Sequence, residues 1–369
     1  MVENFRPCRA VSQGDSFMSA RPAHEEIAAA AAVLKAGGVV AFPTETVYGL
    51  GAEVSRPSAI KRIFDIKRRP YDHPLIVHIA DASRLQYWAN EIPQEAWQLA
   101  ERFWPGPLTL ILPHSHHVPK NITGGQSTVG LRVPAHPVAL ELLDALGPEE
   151  ALAAPSANRF GRISPTTAAH VREELGEAVD MILDGGSCEV GLESTIVGFE
   201  DQGDGKANRV VVLRPGGISQ ASLEEVLGSK IISKAGTQPR PRVPGALASH
   251  YAPTTPLELW PEKHLYSRVR DLGPQGLRLA VLTLSKQVHK HMKNSPGENI
   301  VYIPMPQRPE SYGRLLYGTL RQLDHAGFDR LLVEETPDEP QWMAVADRLH
   351  RASCINTDTN IESEALHGE

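Results

Sequence analysis

Apolar positions in the first two thirds of the chain fall into short runs separated by helical spacings. Val39–Phe42, Leu75–Ile79, Thr109–Leu112, Val129–Val133, Met181–Leu183, Thr195–Phe199 and Val210–Leu213 have the length and β-branched content of strands. Between them, apolar residues recur three and four apart over Ser58–Arg68, Gln94–Phe103, Val138–Leu146, Thr166–Leu175 and Ser222–Leu227, which predicts helices. The alanine-rich stretch Glu25–Lys35 predicts another, stopped by Gly37 and Gly38. This alternation predicts one layered α/β domain over residues 24–233. Residues 234–256 are proline-rich, cannot continue a helix or sheet, and predict an extended linker. Beyond it, Leu277–Leu284, Asn299–Ile303 and Asp329–Glu335 predict strands, and Ser311–Ala326 and Trp342–Arg351 predict helices. Together they make a smaller, Rossmann-like parallel α/β domain over residues 257–355. It has no glycine-rich phosphate-binding pattern, so its layering alone implies no nucleotide. Residues 1–23 read as a flexible extension and 356–369 as a polar tail.

Composition narrows the function classes. A net charge of −7 over 369 residues argues against a generally basic nucleic-acid-coating surface, so an anion site must be a focused one. Three cysteines, at positions 8, 188 and 354, form neither a zinc motif nor a disulfide framework, which suits a reducing compartment. No apolar run reaches eighteen residues and the first 23 contain no signal-like core; cytoplasm is expected, without a membrane partner.

Candidate chemistry gathers where strands end, the usual ligand edge of α/β sheets. In PTETVYGLG, Pro43 to Gly51, the hydroxyls of Thr44 and Thr46 either bind a small polar ligand or cap an ordinary turn. Lys67 to Pro70 reads as a cationic cap on a helix end or as a phosphate clamp, with alternate residues Lys67 and Arg69 projecting from an extended segment. His73 and His78 flank the run HPLIVHI; their odd spacing puts them on opposite faces, against a joint metal site. Thr128 opens the strand that carries Arg132, a charge needing an anion or carboxylate partner. Ser156 and Asn158 point the same way from an extended segment, or form a turn before a helix capped by Ser164 and Thr166. Glu193 to Thr195 lead into one strand, and Arg214 ends another before Pro215, Gly216 and Gly217. Lys67, Arg69, Arg132 and Arg214 would converge on a polyanionic ligand. No nucleophile with a paired base is present: GxSxG is absent and Cys188 has no evident partner.

In order, PTETVYGLG, Lys67-x-Arg69-Pro70, HPLIVHI, PGPLT, TVGLRVP, PSAN, SPTT, LESTIV and RPG, followed by HYAP at His250 to Pro253, closely resemble the YrdC family in its long two-domain form. The resemblance spans residues 25 to about 350. It implies a twisted open α/β domain with a deep cationic cavity, covered by the linker and second domain. It implies the reaction of L-threonine, bicarbonate and ATP to threonylcarbamoyl-AMP and pyrophosphate, with Mg²⁺ bridging the phosphates. The product would pass to a tRNA threonylcarbamoyl transferase machinery, and a weak RNA contact would be compatible. By motif, Thr46, His78, Arg132, Ser156 and Ser194 are the implied threonine contacts. Lys67, Arg69, His73, Thr128, Asn158, Thr166, Arg214, His250 and Tyr251 are the implied ATP contacts, with Lys67 and Arg69 the catalytic pair. Glu45 and Glu193 are the nearby carboxylates considered for metal or amine contact, and Tyr251 is expected to close over the nucleotide.

Overall fold

The computed structural model describes residues 21–203, 208–231, 240–246, 249–286 and 299–354. The expected N-terminal extension up to residue 20, linker residues 234–239, 247 and 248, and the tail over 356–369 lie outside the described residues.

Nine strands form one mixed sheet: β1 Val40–Phe42, β2 Gly49–Glu53, β3 Ile76–His78, β4 Leu108–Pro113, β5 Thr128–Arg132, β6 Leu152–Ala153, β7 Met181–Ile182, β8 Thr195–Glu200 and β9 Arg209–Arg214. Their order is β7-β1-β2-β6-β3-β5-β4-β8-β9. The seven apolar runs read as strands in this part of the chain each hold one. β2 differs from expectation, because Gly49 to Gly51 read as a turn but pair antiparallel with β1. The glycines are there for packing: a Cβ on Gly51 would stand 2.8 Å from the Phe42 ring, which lies across β2.

The helix Pro57–Lys67 takes proline in its first turn and buries Ile60, Ile63, Phe64 and Lys67. It ends in a left-handed residue, Arg68, at φ 53 and ψ 45. The Arg69 amide then donates back to the Phe64 carbonyl at 2.9 Å and that of Arg68 to Asp65 at 3.1 Å, a Schellman closure without glycine. Lys67 is therefore the last helical residue, not part of an extended run. Lys67 points inward with Ile60, Ile63 and Phe64 on the helix's buried face, and the turn at Arg68 sends Arg69 inward while leaving Arg68 exposed. The helix Ala168–Leu175 starts later than expected: the Thr167 hydroxyl is its cap, accepting the His170 amide at 3.2 Å.

Four parallel strands make the smaller sheet, β10 Leu257–Trp260, β11 Leu279–Thr283, β12 Ile300–Pro304 and β13 Arg330–Glu334, in the order β10-β13-β11-β12. β10 and the helix Glu262–Leu272 were not legible, since a four-residue strand right after the proline-rich segment carries little pattern. The helix Pro309–Asp324 buries Tyr312, Leu316, Tyr317, Leu320 and Leu323 at helical spacing. Its core continues into the first layer and the linker, where Val47, Ile163 and Leu192, and Tyr251 of the linker, join the same apolar cluster. No helix among the described residues is long and apolar enough to cross a membrane. Cys188 is buried, Cys354 exposed, and both are free thiols.

Candidate active site

The ends of β3, β5 and β9, the start of β8 and the turn after β1 meet around one cavity. Parallel pairing of β3 with β5 places His78 opposite Arg132 at the same sheet edge. After β1, Thr44 Oγ1 donates to the Val47 carbonyl at 2.6 Å and lies 2.8 Å from Thr46 Oγ1, so the turn's own hydroxyls fix its shape. Arg132 then reads the turn, with Nη1 3.0 Å from Thr46 Oγ1 and Nε 3.2 Å from the Gly106 carbonyl. Its Nη2 lies 2.7 Å from Glu45 Oε1 in a buried ion pair whose angle is too skewed for a hydrogen bond. Lys67 Nζ, also at the cavity, donates to the carbonyls of Ser156 and Asn158 at 2.5 and 2.6 Å. Arg69 Nη2 donates to the Pro74 carbonyl at 2.9 Å while its guanidinium lies over the Phe160 ring. Arg214 grips the turn before β8, donating from Nη2 to the Ser194 carbonyl at 2.8 Å and to Ser194 Oγ at 3.2 Å. Gly216 makes that approach feasible, since a Cβ there would stand 2.3 Å from the Glu193 carbonyl.

The linker forms the remaining wall. Arg214 Nη1 donates to the Pro244 carbonyl at 2.9 Å, and Tyr251 packs over Gly245, where a Cβ would meet its hydroxyl at 2.1 Å. Tyr251 is fully buried and left-handed at φ 62, a conformation that costs a non-glycine residue about 1 kcal/mol or more.

Ten of the fourteen expected contacts thus line one cavity: Thr46, Lys67, Arg69, His78, Arg132, Ser156, Ser194, Arg214, His250 and Tyr251. Four do not. His73 stands edge-on to Phe160, behind the wall, and Thr128 lines a separate groove near Arg240. Asn158 does not point alongside Ser156: its amide donates to the carbonyls of Arg159 and Arg162 at 2.7 and 2.9 Å and braces its own loop. Thr166 sits against His170, and Ser164, read as a cap, donates to Glu193 at 2.5 Å. Motif adjacency did not give side-chain direction. Phe160, Pro244 and Gly245 also line the cavity; Phe160 lies two residues after the PSAN run that drew attention to its neighbours.

Burial sets the electrostatics. It pushes the Lys67 ammonium well below its usual range, reinforced by Arg69, and brings Arg69 down to about 10. Burial, with Arg132 nearby, holds His78 at about 3, and His250 is likewise held at about 3. Arg69 Nε, His78 Nδ1, His250 Nδ1 and Tyr251 Oη are buried without a hydrogen-bond partner in the protein. Each such group costs about 1–3 kcal/mol, so their concentration around one cavity marks a site shaped for a ligand.

The two neutral imidazoles carry a stability prediction. On unfolding they protonate below about pH 6.5, so the stability they leave in place above that pH is lost as pH falls toward about 3. Each contributes about 1.4 kcal/mol per pH unit in that window. Urea melts between pH 6 and 4 should show the slope, and His250→Gln should remove about one histidine's share; an unchanged slope refutes it.

The two carboxylates are committed elsewhere. Glu45 is held by Arg132 and by the Ala135 amide at 3.0 Å. Glu193 accepts from Ser164, from Tyr317 Oη at 3.0 Å and from Arg348 Nε at 2.7 Å. Burial pushes Glu193 up, but Arg348 and Arg214 outweigh it and hold it at about 2. Among the described residues no group of three or more His, Cys, Asp or Glu is placed to hold a metal ion.

Family profiles match both layers. The Sua5_yciO_yrdC profile, described as Telomere recombination, matches residues 32–216, and the Sua5_C profile, described as Threonylcarbamoyl-AMP synthase, C-terminal domain, matches residues 218–354. The threonylcarbamoyl-AMP synthases of Pyrococcus abyssi and Bacillus subtilis are each 38% identical to the chain, over 89% of it and 94% and 93% of their own lengths. A crystal structure of P. abyssi Sua5 complexed with L-threonine superposes with a TM-score of 0.78 at 38% identity, covering 90% of this chain and 95% of that one. On this evidence of sequence, site and fold, the chain belongs to the Sua5/YciO/YrdC family, in the form that carries the Sua5 C-terminal domain.

Proposed function

We propose that the cavity holds L-threonine and ATP side by side and makes L-threonylcarbamoyladenylate, the chain acting as an adenylyl-transferring threonylcarbamoyl-AMP synthase. The observation that carries this reading is the set of groups gathered in one cavity: the hydroxyls of Thr46 and Ser194 with the Arg132 guanidinium, and the cations Lys67, Arg69 and Arg214. Arg132 takes the amino-acid carboxylate beside Thr46, with Ser156, Ser194 and His78 around the rest. The threonine amine attacks bicarbonate, water leaves, and the carbamate oxygen displaces pyrophosphate from the α-phosphate. Lys67, Arg69 and Arg214 stabilise the charge that develops on the phosphates, and juxtaposition removes the entropy cost of three reactants meeting. No protein nucleophile is needed. His73, Thr128, Asn158 and Thr166 serve, on this reading, as supports of the walls.

The residues present do not fit a protein-held metal, since Glu45 and Glu193 are both spent on arginines. Mg²⁺ enters as part of the ATP complex, a substrate. Free cysteines support a reducing, cytoplasmic setting, and the labile product passes to a downstream tRNA threonylcarbamoyl transferase. The net charge of −7 leaves any RNA contact weak.

The test is pyrophosphate release from ATP with each of the twenty amino acids, with and without bicarbonate; release indifferent to threonine or bicarbonate ends the proposal. The linker adds a second expectation. Only about 50 Å³ is free between Pro244, Gly245, His250, Tyr251 and the sheet, against several hundred Å³ for a small-molecule site. The linker must therefore yield to ATP and reseal over it, excluding water. Tyr251→Ala should raise the ATP KM or release free AMP; unchanged kinetics and product yield would remove the idea.

A further inference from the structure

The helix Met343–Ser353 of the smaller layer contributes one fully buried cation, Arg348, that does not itself line the cavity. Its guanidinium spends each face on a different wall. Nε donates to Glu193 Oε2 at 2.7 Å, in the residue before Ser194. Nη2 donates to the Pro215 carbonyl at 3.0 Å, in the residue after Arg214. The plane lies over the Tyr251 ring at 5.0 Å, and Nη1 is anchored by Asp347 at 2.6 Å. Tyr317, from the helix Pro309–Asp324, completes the arrangement by donating to Glu193 and stacking on Tyr251 at 5.8 Å.

We propose that Arg348 is a positioning residue for adenylate formation, the means by which the C-terminal layer fixes the walls that carry Ser194, Arg214 and Tyr251. One rigid fork, hydrogen-bonded to two separate segments and stacked on a third, ties them together in a way that a lysine, a point charge on a flexible stem, cannot reproduce. Charge neutralisation alone does not account for the geometry. Glu193 also faces Arg214, His250, Tyr251 and Tyr317, and the bond to Pro215 and the stack on Tyr251 contribute nothing to the carboxylate. The smaller layer is then part of the catalytic apparatus rather than a holder for the linker.

This inference rests on the proposed function, and the unaltered protein separates the two: no threonine-dependent pyrophosphate release from it unseats the function, not Arg348. Given that release, Arg348→Met is expected to lower kcat by about 10²-fold, and also to lower Tm because Glu193 is left buried and unpaired. Two further variants separate position from stability. R348M/E193Q removes the stranded carboxylate, and R348K keeps its partner; both should recover Tm to within about 2 °C while kcat stays reduced by at least about tenfold. A merely structural Arg348 predicts that kcat returns with Tm. Either variant with kcat within twofold of the unaltered protein overturns the proposal, and R348K keeps that test available if Arg348→Met does not fold.

Discussion

Arg69→Met is expected to lower threonine-dependent pyrophosphate release by about 10²–10³-fold while leaving Tm unchanged or higher. Both halves follow from how the side chain is held. The sequence suggested a clamp projecting from an extended segment, but Arg69 is buried, with one hydrogen bond to the Pro74 carbonyl, and its Nε has no partner. Burial and the neighbouring Arg214 both disfavour its charge, and its own charge in turn depresses Lys67. A cation so placed is a cost to the folded chain, and methionine of similar length removes that cost while filling the volume. A group that burdens stability yet faces the cavity is retained for what it does to a ligand. Pyrophosphate release and calorimetry on the same sample check it. Release within tenfold of the unaltered protein, or a fall in Tm of more than a few degrees, contradicts the assignment.

The parts of this site that were legible in the sequence are those where local pattern decides direction. Arg132 and Arg214 end β5 and β9, so reading the strands located both guanidiniums at the sheet edge. The turn from Pro43 to Val47 announced itself by its hydroxyls. Illegible were features set by exceptions to propensity or by distant segments. Arg68 adopts a left-handed conformation that arginine rarely takes, and on that one residue depends the inward aim of Arg69. Gly49 and Gly51 conceal a strand because they were selected by the Phe42 ring rather than by strand propensity. Asn158 and Thr166 sit within the right motifs but turn toward their own loops. Arg348 and Tyr317 gave no signal, since each reads as an ordinary position on an amphipathic helix more than a hundred residues from Glu193.

Arg132→Ala should show the opposite balance to Arg69→Met, losing both activity and fold stability. Arg132 is the partner of Glu45, and both side chains are buried, 5% and 7% exposed. Removing the guanidinium strands a carboxylate in the interior, which costs about 3–5 kcal/mol, and frees Thr46 Oγ1 from the bond that orients it. Threonine binding should disappear as well, because the proposed carboxylate partner is gone. The two losses are separable. In R132M/E45Q the stranded charge is absent and the volume is filled, so most of the lost stability should return, while threonine binding by calorimetry stays undetectable. The reason is chemical: a glutamine amide and a methionine thioether offer no charge to an amino-acid carboxylate, whereas the stability term depended only on the pair being balanced. Recovery of threonine affinity along with stability would mean that Arg132 only shapes the turn after β1, and that the carboxylate is bound by another of the cavity's cations. Arg214 would then be the group to test next, since it already reaches Ser194 at the same wall.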